Sequence, residues 1–212
     1  MEPGSGSASV SDERVDYKIV GIGGLSRSGK DSLAELLTQA GYMSVSLGDI
    51  VREYCYERHK DKPDPITRAN TTETSNWLRE TYGADIVMRE GLKRFEAKRA
   101  GGNQYMGVVL HSIRAQVEVD FILAHGGEMV WVEADDEVRY KRNVASLREG
   151  ERHLSFEEFM AHEAEQWLPL PGIPKEAQMN VSYVKEHATT RIVNNGDDRQ
   201  AFLAEARRLL KI

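Results

Sequence analysis

Cysteine is nearly missing from this sequence: Cys55 is the only one in 212 residues. A single thiol excludes an internal disulfide and any zinc site built on cysteines, and Cys55 is expected to be a partly buried thiol. No two of the six histidines stand at a zinc-ligand spacing such as H-E-x-x-H. Long apolar runs are lacking too, and no stretch approaches the ~20 residues needed to cross a bilayer. Positive charge is in deficit, with 28 Lys and Arg against 34 Asp and Glu and a formal net charge of −6. That balance argues against broad nucleic-acid binding, which rests on clustered cations, but leaves room for a local basic site for a small anion. Residues 1–15 are Gly/Ser-rich and acidic without an apolar segment, so they read as a flexible tail and not as a signal peptide. The expected setting is the cytoplasm, without a membrane partner.

What is present suits one α/β domain over residues 16–212. Hydrophobic residues make up 40% and charged residues 29%, enough for a packed core and too apolar for global disorder. Tyr17–Ile22 is a short apolar run that fits a buried strand. Leu33, Leu36, Leu37 and Ala40 then recur at helical spacing, closed by Gly41. Met43–Leu47 reads as a second strand, with helix from Asp49 onward. Thr72–Arg99 carries a helical pattern with a turn at Tyr82-Gly83-Ala84, and Gly101-Gly102-Asn103 is a break. Gln104–Leu110, Glu128–Ala134 and Arg191–Val193 read as further strands. Ala115–Ala124, Asp136–Leu147 and the stripe of Phe202, Ala206, Leu209 and Leu210 read as helices. Ser155 and Glu158 have capping-box spacing and open one more helix; Leu168–Pro174 reads as a proline-broken loop. Strands alternating with helices predict a three-layer α/β/α fold around a mostly parallel five-stranded sheet. Such sheets bind ligands beyond the carboxyl ends of their strands.

One such place is marked by a motif. Gly24-Leu25-Ser26-Arg27-Ser28-Gly29-Lys30 fits G-x-x-x-x-G-K between an expected strand and an expected helix, the context that gives this motif meaning. Glycines let the backbone turn its N–H groups toward a phosphate. The helix N-terminus adds partial positive charge, and Lys30 reaches the β- and γ-phosphates of a nucleotide. Asp31 stands where the general pattern has Ser or Thr. It is expected to cap the helix, leaving Ser32 to supply a hydroxyl near Mg2+.

The Ser-Gly-Lys-Asp form of this loop resembles that of bacteriophage deoxynucleoside monophosphate kinases. Ser46-Leu47-Gly48-Asp49-Ile50-Val51-Arg52 is similar to the Ser-Thr-Gly-Asp-x-x-Arg segment of adenylate kinases. Val108–Arg114 resembles the strand followed by Asp-Gly-x-(Pro)-Arg in the same superfamily. Val138–Arg142 and the Arg-rich stretch to Arg152 look like the start of a lid, and Val193-Asn194-Asn195-Gly196 resembles a loop that lies against adenine. The resemblance covers about Lys18–Leu210 and extends to adenylate-kinase-like and dephospho-CoA-kinase-like proteins. It implies a P-loop nucleotide kinase using ATP and Mg2+, with an acceptor-binding insertion at about residues 49–100 and a lid at about 143–172. It further implies that Gly48, Asp49, Arg52 and Arg114 bind a phosphorylated acceptor, and that Asn195 and Gly196 join the phosphate loop in holding ATP. Arg139, Arg142 and Arg148 would close from the lid.

Arginine suits such work because its planar fork binds phosphate oxygens bidentately and stays charged. Arg139, Arg142, Arg148 and Arg152 read equally as solvated or salt-bridged helix residues, whereas Arg52 and Arg114 follow strand ends, where ligands bind. Glu157-Glu158 and Glu163-Glu165 read as a solvated face, and Trp77 and Tyr82 either stack on an acceptor base or belong to the core. His111-Ser112 stands where the resembled segment has Asp-Gly. Neutral imidazole is a poor partner for Mg2+, which prefers oxygen. Either Asp31, Glu133 or Asp135 substitutes, or ATP and Ser32 hold the ion, or catalysis is weak. The leading acceptor is a nucleoside or deoxynucleoside monophosphate. The alternatives are a dephospho-CoA kinase-like enzyme and a nucleotide-binding regulator or slow ATPase without an acceptor. The sequence leaves the oligomeric state undetermined.

Overall fold

The computed structural model describes residues 17–146, 153–167 and 178–212. The expected tail, Arg148, Arg152 and the proline-broken loop lie outside the described residues. Five strands form one sheet: β1 (Lys18–Gly24), β2 (Tyr42–Ser46), β3 (Gly107–Ile113), β4 (Glu128–Glu133) and β5 (Thr190–Val193). Their order is β2-β3-β1-β4-β5, and every pairing is parallel. The sheet is thus wholly parallel, as crossover helices on both faces require.

Alternation along the strands divides the core in two. Val20 and Ile22 of β1, Val109 of β3 and Val130 and Val132 of β4 face one way. They pack on Leu33, Leu36 and Leu37 of α1 (Lys30–Gln39) and on Phe202 and Ala206 of α9 (Arg199–Leu210). Ile19, Val108, Leu110, Met129 and Trp131 face the other way. That face is covered by α2 (Leu47–His59), α4 (Ile86–Ala100), α5 (Gln116–Ala124) and α8 (Val181–Glu186). α3 (Arg68–Tyr82) stands outside α2 and α4. α6 (Asp136–Ala145) and α7 (Phe156–Trp167) follow β4. Among the described residues no helix is long and apolar enough to cross a membrane.

Several boundaries differ from expectation. β3 runs three residues later than its apolar run, because Gly107 pairs with both Lys18 and Tyr42 and the strand continues through His111. α3 starts at Arg68, ahead of the expected Thr72, because the Thr67 hydroxyl accepts from Asn70 N at 3.1 Å and caps it. α8 has no counterpart in the expectations; it is six residues long, too short to show a periodic stripe. The capping box holds: Glu158 N donates to Ser155 Oγ at 3.2 Å and Ser155 N to the Glu158 carboxylate at 2.8 Å. Cys55 is fully buried rather than partly so. Trp77 and Tyr82 meet edge to face, with ring centroids 5.4 Å apart, as core neighbours do.

Leu37 has no exposed surface and sits centrally in the α1 face. Replacing it with Ala removes three carbons from a packed interior, so Leu37→Ala is expected to cost about 3 kcal/mol of unfolding free energy. Urea unfolding followed by circular dichroism checks this.

Candidate active site

The phosphate loop joins β1 to α1 at the middle of the sheet. Gly29 occupies the cap position of α1 with φ 108° and no capping side chain, so the first amides of α1 have neither an intrahelical carbonyl nor a side-chain acceptor. A Cβ at Gly29 would strike the Asn194 amide, and one at Gly24 would come within 2.7 Å of both Ser28 Oγ and Val132 O. The loop can take this path only with glycine at both positions.

Its outward carbonyls are held from outside. Arg139 donates to Ser26 O at 3.3 Å, Arg142 to Arg27 O at 3.3 Å and Asn194 Nδ2 to Ser28 O at 2.8 Å. Arg142 also donates to Gly196 O at 2.7 Å. Asn195 accepts from Asp135 N at 2.8 Å. The β5–α9 loop, α6 and the phosphate loop are thereby tied into one unit. Arg139 is wholly buried; it donates to Ala134 O at 3.1 Å and pairs with Asp136 at 2.6 Å and with Glu163. Glu163, on α7, is 7% exposed and its carboxylate also accepts from Ser26 N at 3.1 Å.

Glu163 therefore corrects the reading of its segment as a solvated face. The signal was present in its spacing: Phe159, four residues earlier on the same helix stripe, is buried too. Glu133, one of the residues considered for Mg2+, is instead paired with Lys185 of α8. Asn194, which pins the loop, was within the quoted motif but had been assigned no task.

Lys30 donates to Leu25 O at 3.4 Å and is held below the ordinary lysine pKa. Burial is the largest cause; Asp31 opposes it, and Arg114 and Arg27 add to the depression. His111 is likewise lowered, first by burial, with Asp31 and Asp49 opposing and Lys30 reinforcing. Its Nδ1 is buried without a hydrogen-bond partner among the described residues. Ser112 beside it has φ 71° and forms a bulge between β3 and β1, the conformation a glycine would take at that point. Asp49 experiences opposing effects. Burial works to raise its pKa, but hydrogen bonds from Arg52 and Ser46 and the Arg52 charge leave it lowered. Lys30, Asp31, Asp49, His111 and Arg114 thus form one electrostatic neighbourhood beyond the carboxyl ends of β1, β2 and β3.

Arg52 is half exposed and its guanidinium pairs with Asp49. It borders a cavity of about 450 Å3 lined also by Tyr54, Tyr56, Ile66 and Arg94. Asp31 is exposed and Ser32 half-buried in the first turn of α1. Gly48 lies against the Arg52 guanidinium. Among the described residues, no group of three His, Cys, Asp or Glu could hold a metal ion.

A sequence profile described as an AAA domain matches residues 20–167. The chain belongs to this family. It is a P-loop protein of kinase-like fold. The AAA-domain chain is 28% identical over 196 residues to a UPF0200 protein of Thermococcus kodakarensis, covering 91% of this chain and 96% of that one. A UPF0200 protein of Methanoculleus marisnigri is 26% identical over 195 residues, covering 91% and 95%. Among solved structures, TT1252 from Thermus thermophilus superposes with a TM-score of 0.53 at 23% identity, over 92% of this chain and 96% of that one. Shikimate kinase from Bacteroides thetaiotaomicron superposes with a TM-score of 0.50 at 13% identity, over 92% and 99%. These two likenesses establish the fold of this AAA-domain protein.

The depressed Lys30 carries a pH signature. An amine holding phosphate must be protonated, and in the ligand-free protein Lys30 loses its proton below the usual 10.5. ADP affinity is therefore expected to fall as pH rises through this lowered value, with a proton taken up on binding. Calorimetry from neutral to alkaline pH checks it, and Lys30→Arg should flatten the dependence.

Proposed function

We propose that this protein transfers the γ-phosphoryl group of ATP to a phosphorylated small molecule, a nucleoside or deoxynucleoside monophosphate. The observation that carries the reading is the neighbourhood of Lys30, Arg114, His111 and Asp49 beside a phosphate loop whose carbonyls are tied outward. Donor-side and acceptor-side residues converge there, as in-line transfer requires.

In this reading the loop amides and Lys30 hold the donor phosphates. Gly24, Ser26, Arg27, Ser28 and Gly29 shape that cradle, and Asn195 and Gly196 bound the space for the adenine. The uncapped start of α1 and the buried Ser28 hydroxyl, without a partner among the described residues, fit such an anion. Arg114 and Arg52 hold the acceptor phosphate, with Gly48 leaving room for the Arg52 fork. An acceptor that is already an oxyanion needs no strong base, and none stands out. Arg139 and Arg142 act chiefly as struts of the loop, since their guanidinium groups are engaged there. Magnesium would neutralise charge on the transferring phosphates. Ser32 is the residue placed to reach it, with Asp31 at the helix start. A second reading, a nucleotide-binding regulator or slow ATPase, draws support from His111, because an uncharged imidazole stands where an acid would help place the metal.

An ADP-release assay across nucleoside monophosphates, their deoxy forms and dephospho-CoA distinguishes these readings. Release that depends on one acceptor class is expected. A rate indifferent to every acceptor would point to the ATPase. Lys30→Ala is expected to abolish release. Arg114→Ala should raise the acceptor KM by about 10- to 100-fold, the loss of a charged hydrogen bond, with little change in the KM for ATP. An unchanged acceptor KM would remove Arg114 from the acceptor site.

A further inference from the structure

A second cavity of about 490 Å3 lies beside Leu25 of the phosphate loop, at the carboxyl end of β4 and between α6, α7 and α8. Its size suits a small ligand, for which sites of about 300–1,000 Å3 are usual. Two of the three tryptophans, Trp131 and Trp167, line it together with Met160 and Leu25. Trp131 is 1% exposed and backs the wall from within the core.

The charges on the wall argue against an anionic occupant. Glu133, Asp136 and Glu163 face Arg139 and Lys185, and both cations are already ion-paired with those carboxylates. Among the described residues, no wall cation is left over for a phosphate. An apolar wall of Leu25, Met160 and Trp167, with a net acidic rim, favours a flat, uncharged ring. The wall is also wired to the phosphate loop. Glu163 accepts from Ser26 N at 3.1 Å and Arg139 donates to Ser26 O at 3.3 Å.

We infer that this cavity is a second ligand site for an uncharged aromatic ring, occupied together with a nucleotide on the loop and coupled to it through Glu163. The coupling rests on the nucleotide reading above; the cavity itself does not. Such coupling is reciprocal, so each ligand tightens or loosens the other by the same factor.

The test uses the full chain carrying Trp77→Phe, which leaves Trp131 and Trp167 as the only emitters. Adenosine, cytidine and thymidine are titrated with and without saturating ADP while tryptophan fluorescence is followed. At least one is expected to give a saturable change that persists with ADP present. Ala164→Phe places a ring at the cavity wall and should weaken that nucleoside at least tenfold, while calorimetry still detects ADP binding. Three non-saturating titrations, or an Ala164→Phe protein that binds the nucleoside undiminished, overturn the site. Equal ADP affinity with and without the nucleoside overturns the coupling. Nucleoside binding in a protein that takes no ADP supports the cavity and sinks the nucleotide reading instead.

Discussion

The outward tethering of three successive carbonyls is the constraint on which the rest of this molecule turns. The loop between β1 and α1, residues 25–29, has no regular ladder to fix its peptide planes. Side chains do that work here: Arg139 on Ser26, Arg142 on Arg27 and Asn194 on Ser28. Once a carbonyl is drawn outward, the amide of the following residue is turned the opposite way, because the peptide unit is planar. The anion-facing surface is thus set by contacts on the far side of the backbone. Arginine suits this work because its planar fork stays charged and carries several donors, enough to hold the loop and another partner at once.

The tethers also decide the fate of two arginines. In a lid reading they are arms that swing in. In the structure Arg139 is buried against Asp136, Ala134 and Glu163, and Arg142 spans from the loop to Gly196. A guanidinium is costly to bury unless its donors are met, and these are met by groups that hold the loop. Glu163 completes the arrangement by bringing α7 onto Ser26. Helix α7 and the phosphate loop therefore share one polar junction.

Much of this was legible in the sequence where the cause is local. The glycine motif, the strand before it and the apolar stripe of α1 follow from nearest neighbours, and the three-layer parallel sheet follows from their alternation with later segments. The capping box at Ser155 was readable for the same reason. The junctions were not. Arg139 to Ser26 spans 113 residues and Asn194 to Ser28 spans 166, and no local pattern encodes a partner so far away. Glu163 reads as solvated because acidic residues recur along its helix, at Glu157, Glu158, Glu163 and Glu165, whereas its burial depends on Arg139, which the sequence places on a different helix. The late register of β3 had a similar origin: its pairing with Lys18 and Tyr42, not its own hydrophobicity, sets where it begins.

The strand order has a consequence for the newborn chain. β1 leaves the ribosome well before its two neighbours, which start at Gly107 and Glu128, and the residue that pins Ser28 is Asn194. Emerging at about 5–20 residues per second, β1 waits several seconds for these partners and longer for its final pin. The geometry of the glycine loop is accordingly completed late in synthesis, although its own residues emerge well before those that hold it.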